Sequence, residues 1–234
     1  MKLPMNIFAI SDPHLSIANP KPMDIFGCNW ENHFETMSRH WKATVSKEDI
    51  VLIAGDISWA MKLEDALVDL QALGSLPGRK VILRGNHDYW WNSITRIRAA
   101  LPVGMYALQN DSLMIEDVCI CGSRGWLCPG SAAFCAQDEK IYDREVVRMG
   151  LSLVSMKSTG KLRIAMTHYP PFNERQEPSG FTQLFEQYGV DIALYGHLHS
   201  KSCWGAFEGE RNGVIYKLTS CDFLDFNPLL IAQI

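Results

Sequence analysis

The chain has no run approaching 18 consecutive apolar residues, so a membrane-spanning helix is not expected. It has no pair of CxxC units. Its seven cysteines, at 28, 119, 121, 128, 135, 203 and 221, are odd in number and partly set in apolar runs, which argues against a disulfide framework or zinc ribbon and for a reduced, cytoplasmic protein. It lacks a basic tail or stripe: 22 Lys and Arg are mixed with 26 Asp and Glu for a formal charge of −4, which gives no strong nucleic-acid signal. No cleavage-site pattern follows the opening MKLPMNIFAISD, so a secretory leader is not expected. Internal repeats, low-complexity tracts and obvious linkers are also missing, and 234 residues suit a single domain spanning 1–234. Histidine is scarce, with seven in the chain, so the placement of each is informative.

What is present is a core. Apolar residues make up 47% of the chain, enough to exclude disorder. Short apolar runs at Ile7–Ile10, Val51–Ala54, Val81–Leu83, Ile164–Met166 and Ile192–Leu194 predict strands covered on both faces. Helical spacing lies between them: Trp30, Phe34, Met37, Trp41; Leu63, Ala66, Leu67, Leu70, Leu73; Ile141, Tyr142, Val146, Met149, Leu153; and Phe181, Leu184, Phe185, Tyr188. That alternation predicts βαβ-type units. Two hairpins are also expected: Leu113–Ile115 with Val118–Ile120, and Trp204–Glu208 with Val214–Leu218 about Asn212-Gly213. The sheets should therefore be mixed. Segments 15–29 and 121–137, rich in Gly, Pro, Ser and Cys, read as long loops of functional interest. The closing DFLDFNPLLIAQI reads either as a terminal strand or as an oligomerisation segment, and the oligomeric state stays open.

Each strand run is followed at once by a polar block: SDPH, GD, RGNHD, THYPP and GHLH. These blocks hold Asp12, His14, Asp56, Asn86, His87, Asp88, His168, His197 and His199, and with them five of the seven histidines. The carboxyl ends of strands line the ligand crevice of an α/β sheet, so residues distant in sequence converge there. Carboxylate, imidazole and amide oxygen without thiolate suit Mn, Zn or Fe(II). If the backbone is extended, residues i and i+2 point the same way, which would pair Asp12 with His14 and His197 with His199.

The order D-x-H, G-D, G-N-H-D, a separate H, then G-H-x-H resembles the calcineurin-like metallophosphoesterase family, over Asp12 to His199. The resemblance implies an α/β fold (mixed α+β), a four-layer αββα sandwich of two mixed sheets flanked by helices. It implies two divalent metal ions, one held by Asp12, His14, Asp56 and His199, the other by Asn86, His168 and His197 with Asp56 bridging. The implied activity is hydrolysis of a phosphate mono- or diester by a metal-bridged hydroxide, with no covalent intermediate. His87 would act near the leaving group and Asp88 would orient it. The purple acid phosphatase branch carries tyrosine three residues after the bridging aspartate. Here Trp59 stands there, and indole offers no anionic ligand, so the reading moves to Mn, Zn or ferrous iron. The substrate class implied is a phosphorylated small molecule or nucleotide-like compound. A pyrophosphate-bond hydrolase of the same fold, or an inactive protein-binding scaffold, are the alternatives.

Around this set, Arg84, Arg124, Trp126 and Tyr89 are possible substrate contacts, although an ion pair for Arg84 and a buried Trp126 with a surface Arg124 are the plainer readings. Trp90 and Trp91 read as cover for a hydrophobic layer, and His33 and His40 as surface or helix-packing residues.

Overall fold

The computed structural model describes residues 4–156 and 160–234, so the first three residues of the opening stretch lie outside it. In chain order the first elements are β1 (Asn6–Ala9), α1 (His33–Thr44), β2 (Ile50–Ile53), α2 (Leu63–Gly74), β3 (Arg79–Ile82), α3 (Ile94–Ala100) and β4 (Met105–Ala107). There follow β5 (Ser112–Ile115), β6 (Val118–Ser123), α4 (Ala136–Val154), β7 (Leu162–Thr167), α5 (Gly180–Gln187), β8 (Ile192–Tyr195), β9 (Gly209–Arg211), β10 (Val214–Leu218) and β11 (Leu229–Gln233). They gather into two compact units, residues 1–107 with 219–234, and residues 108–218.

The first unit is one sheet of order β11-β1-β2-β3-β4. β1 to β4 run parallel, and β11 joins the free edge of β1 antiparallel. The apolar runs of β1 to β3 are buried along nearly their whole length because helices need apolar strand faces to pack on. α1 presents Met37 and Trp41 to the core, and α2 presents Ala66, Leu70 and Leu73. Trp41 is wholly buried and its indole N–H donates to Pro77 O at 2.8 Å, so both its ring and its polar atom are accommodated. Trp90 and Trp91 are core residues, as their apolar reading requires.

The second unit is one sheet of order β5-β6-β7-β8-β10-β9. β6, β7, β8 and β10 are parallel, with an antiparallel hairpin partner at each edge. α4 and α5 supply apolar faces that include Tyr142, Met149, Leu153, Phe181 and Phe185. Ser179 caps α5 by accepting from Phe181 N and Thr182 N. This is a mixed α/β fold with two β-sheets and flanking helices, consistent with the αββα sandwich.

Some boundaries differ from expectation. Trp30 closes a 3-10 turn, Cys28–Trp30, and α1 begins only after Asn32, whose φ of 51° breaks the run. The first arm of the second hairpin is Gly209–Arg211, because Ser200–Gly205 forms a 3-10 helix that takes up Trp204. Its turn keeps the expected chemistry, with φ of 52° at Asn212 and 82° at Gly213. β6 runs through Ser123 into the segment read as a loop from 121. The seven cysteines are all free thiols. Among the described residues no helix is long and apolar enough to cross a membrane.

Truncating Trp41 to alanine should cost about 3–5 kcal/mol of stability, the usual cost of removing a large buried aromatic. Urea denaturation of the purified variant measures this, and an unchanged midpoint would show that the ring is not a core element.

Candidate metal centre

In the first unit the polar blocks leave β1, β2 and β3 at their carboxyl ends, and the ladder between the first two continues past the strands. Asp12 N donates to Gly55 O at 3.0 Å, His14 N to Asp56 O at 3.0 Å, and Leu15 N to Ile57 O at 2.9 Å. The backbone there is not extended. φ is 58° at Asp12, 45° at His14 and 50° at Asp56, so the i, i+2 alternation expected of an extended pair does not operate. Left-handed backbone at a non-glycine residue costs about 1–3 kcal/mol and concentrates at functional sites. His14 Nε2 nonetheless comes to 3.7 Å from Asp56 Oδ2. Asp12, His14 and Asp56 are all buried.

The third block packs against the second. Asp56 Oδ1 accepts from His87 N at 2.8 Å. Gly85 is there because nothing larger fits: a Cβ on it would collide with Asp56 Oδ1 and Asp56 N. Asn86 lies half-buried between them in the chain. Asp88 is fully buried and accepts from Ile57 N at 2.9 Å, Ser58 N at 3.1 Å, Gly85 N at 2.7 Å and Trp90 Nε1 at 3.0 Å. Burial, and secondly the neighbouring Asp56 carboxylate, push its carboxyl well above the usual carboxylate range, against the pull of those backbone donors. Its donors come from two loops and an indole, and the buried His87 Nδ1 has no hydrogen-bond partner. Asp88 thus holds the two loops together, and the His87 ring lies against Trp59 at 4.4 Å between centroids.

Trp59 also stacks on His14, at 4.9 Å and 21° between planes. The residue that departs from a tyrosine ligand therefore acts as an aromatic wall for two imidazoles. Of the remaining candidates in this unit, Tyr89 is exposed with its ring 6.1 Å from His87. Arg84 is half-buried, and among the described residues it has no ion pair, with its buried Nε lacking a hydrogen-bond partner.

Two residues beyond the motifs support this unit's loops. His33, expected to pack or face solvent, brings Nε2 to 2.9 Å from Pro13 O, between Asp12 and His14. Asp69 of α2, nearly fully buried, accepts from Ile17 N at 2.8 Å and from Ser58 Oγ. Its sequence signal is an acid three residues after Ala66 and four before Leu73, on the apolar face of the helix. His40 has a packing contact, with Nδ1 3.2 Å from Phe226 O.

In the second unit the blocks follow β6, β7 and β8. Arg124 O accepts from His168 N at 3.0 Å and Tyr169 N at 3.1 Å, and His168 O accepts from Gly196 N at 3.1 Å. His197 is left-handed, with φ of 72°, while His199 is extended, so the GHLH pair too is not a simple strand alternation. His199 is anchored through its backbone, accepting from Ser202 N at 3.0 Å and Ser202 Oγ at 2.7 Å. His168 Nε2 and His197 Nδ1 face each other at 3.2 Å. That spacing fits one shared proton. It also fits one shared cation, since two nitrogens bound at about 2.1 Å to a tetrahedral or octahedral ion sit about 3.0–3.4 Å apart.

Arg124 and Trp126 are committed internally. The guanidinium lies 3.5 Å from Glu145 and 4.6 Å above the Trp126 ring, and the Trp126 indole donates to Asp138 Oδ1 at 2.9 Å. Glu145 is a buried acid on the apolar face of α4, and Arg148 also reaches it, at 2.6 Å. Sequence reasoning passed over it as it did Asp69.

The sequence matches the family described as calcineurin-like phosphoesterase over residues 5–201. It is 31% identical over 83 residues, 36% of its length, to the Gene 66 protein of Mycobacterium phage L5, and that match spans 40% of the phage protein's length. Among solved structures it is similar to a phosphopantetheinyl hydrolase from Mycobacterium tuberculosis, with TM-score 0.57 at 14% identity over 94% of this chain and 90% of that one. It is also similar to GAP50, the anchor in the inner membrane complex of Plasmodium, with TM-score 0.53 at 12% identity over 94% and 73% of the two chains.

Gly85→Ala should force Asp56 out of place and lower both bound metal and turnover while the chain still folds. Elemental analysis beside a circular-dichroism melt checks it: normal metal content in the folded variant would show that Gly85 does not set the Asp56 position.

Proposed function

We propose that this chain, which belongs to the calcineurin-like phosphoesterase family, is a metal-dependent hydrolase of phosphate esters, mono- or diester, working at a dinuclear centre. The observation that carries the reading is the set of carboxylate and imidazole donors at the strand exits, four of them (Asp12, His14, Asp56 and His197) held in left-handed backbone. Asp12, His14 and His199 would hold one ion and Asp56, His168 and His197 the other, with Asn86 completing the second and Asp56 shared. Oxygen and nitrogen donors without sulfur suit Mn, Zn or ferrous iron. When bound, two such ions supply the positive charge that neutralises phosphate oxygens and acidify a water for attack on phosphorus.

The chain's own residues do the rest. The loops pinned by Asp88 and Asp69 keep the donors where a phosphate ester would have to enter, which lowers the entropy cost of reaction. His87, half-buried with its ring against Trp59, is the proposed proton donor to the leaving oxygen. Arg84 leaves β3 with no ion-pair partner among the described residues, which favours a phosphate contact over the internal ion pair. Tyr89, exposed beside His87, is a candidate for contact with the rest of the substrate. Arg124 and Trp126 shape the loop that carries His168 and Tyr169.

The same fold serves a phosphopantetheinyl hydrolase and an anchor in other organisms, so the fold alone leaves catalyst and scaffold open. The complete donor set favours the catalyst. Protein purified without chelator should carry close to two metals per chain and release nitrophenol from p-nitrophenyl phosphate or its bis ester when Mn is added. Neither metal uptake nor turnover after reconstitution would leave the scaffold. Asp56→Asn should lower metal content and bring hydrolysis close to background. His87→Ala should keep both metals and lower kcat by about 10²–10⁴-fold, the usual worth of a positioned acid. Loss of the metals in His87→Ala would instead make His87 a ligand.

A further inference from the structure

The second unit contains a cavity of about 470 Å³ that reaches His197 and is walled mainly by apolar side chains, among them Leu127, Phe172, Leu198 and Phe207. Its volume falls within the range of about 300–1,000 Å³ usual for small-molecule sites. We propose that this cavity is a specificity pocket for an apolar aliphatic or aromatic group carried by the phosphoester. The inference rests on the phosphoesterase reading and names its substrate class.

Three features point to such an occupant. The cavity and the proposed donor set share His197, so the cavity adjoins the place where that set would hold a phosphate. The walls are built to persist. Phe172 and Phe207 pack at 4.9 Å between centroids, and the Arg211 guanidinium lies 4.1 Å from the Phe207 ring and 5.1 Å from that of Phe172. Lys201 and Glu174, both exposed, are the charged residues of the lining and balance each other, so the selectivity of the cavity rests on its apolar walls. A phosphate joined to a strongly polar or highly charged body would gain little from these walls, whereas each methylene buried gains about fourfold in affinity at full burial.

The test uses the Mn-loaded protein and non-hydrolysable methyl-, butyl- and hexylphosphonate beside inorganic phosphate. Calorimetry reads their binding, and competition against p-nitrophenyl phosphate reads inhibition. Affinity should rise by about twofold to fourfold per methylene along the series, with a heat-capacity change that grows more negative. Ala206→Trp, which fills the cavity from a lining position outside the proposed ligand set, should flatten the series and leave phosphate affinity unchanged. Phe207→Ser should reduce the slope in the same way and guards against a folding defect in the first variant. Phosphate binding with a flat wild-type series, or a slope that survives both substitutions, overturns the pocket and leaves the phosphoesterase reading standing. No binding of phosphate or of any phosphonate to metal-loaded protein overturns both.

Discussion

Asp12, His14 and Asp56 hold left-handed backbone that their side chains disfavour, at a cost of about 1–3 kcal/mol each. Such a conformation persists only where neighbours over-determine it, and here they do. The backbone of each strand exit is hydrogen-bonded to the next, Asp88 gathers four N–H donors from around Asp56, and Gly85 removes the one atom that would collide with the Asp56 carboxylate. The strain is thereby stored in the scaffold rather than relieved by turning the carboxylates outward. For the proposed metal centre, fixing the carboxylates in the fold in this way would lower the cost of gathering them around a cation.

Both units solve the problem of fixing an exit loop with a buried acid on a helix. In the first unit Asp69 of α2 takes the Ser58 hydroxyl and the Ile17 amide. In the second, Glu145 of α4 takes Arg124, whose carbonyl receives the amides of His168 and Tyr169. Neither acid touches a proposed ligand side chain. Burial raises the Asp69 carboxyl above its usual range, a cost that its hydroxyl and amide donors offset. An acid placed on an apolar face at such cost is better explained by the loop it holds than by the helix it sits in.

The strands and the longer helices were legible because their signal is local. Runs such as Ile50–Ile53 and spacing such as Leu63 to Leu73 depend only on burial and period. The candidate donors stood out because strand exits concentrate carboxylates and imidazoles, one block after another. What could not be read was backbone conformation at those exits: Asp12-Pro13-His14 and Gly196-His197-Leu198-His199 both suggest extended alternation, and tertiary hydrogen bonds impose another geometry. The short α3 and β4 escaped because seven and three residues carry too little periodicity. The hydrogen-bond partners of Asp88 were hidden for a related reason. Adjacency in sequence suggested His87 as its partner, while it accepts from Gly85 N and Trp90 Nε1 close by and from two amides some 30 residues away, Ile57 N and Ser58 N. Asp69 and Glu145 left a signal in the helix pattern, an acid where an apolar residue belongs, that hydrophobic periodicity alone treats as noise.

This division bears on how chemistry and selectivity are encoded. Of the residues that line the second unit's cavity, only Pro170, His197 and Leu198 belong to the ordered motif blocks, and His197 alone of them is a proposed donor. Leu127, Phe172, Phe207 and Lys201 come from loops and a 3-10 segment with no period to read and no metal to hold. A change at Phe207 or Ala206 alters what fits beside the phosphate without moving a strand exit, because neither side chain takes part in the hydrogen bonds that hold the donors. On the proposed reading, reaction class and substrate choice rest on separable sets of contacts, joined in this unit through one histidine. A sequence motif can carry the first while saying almost nothing about the second, and the second becomes argument only when the walls of the cavity are seen together.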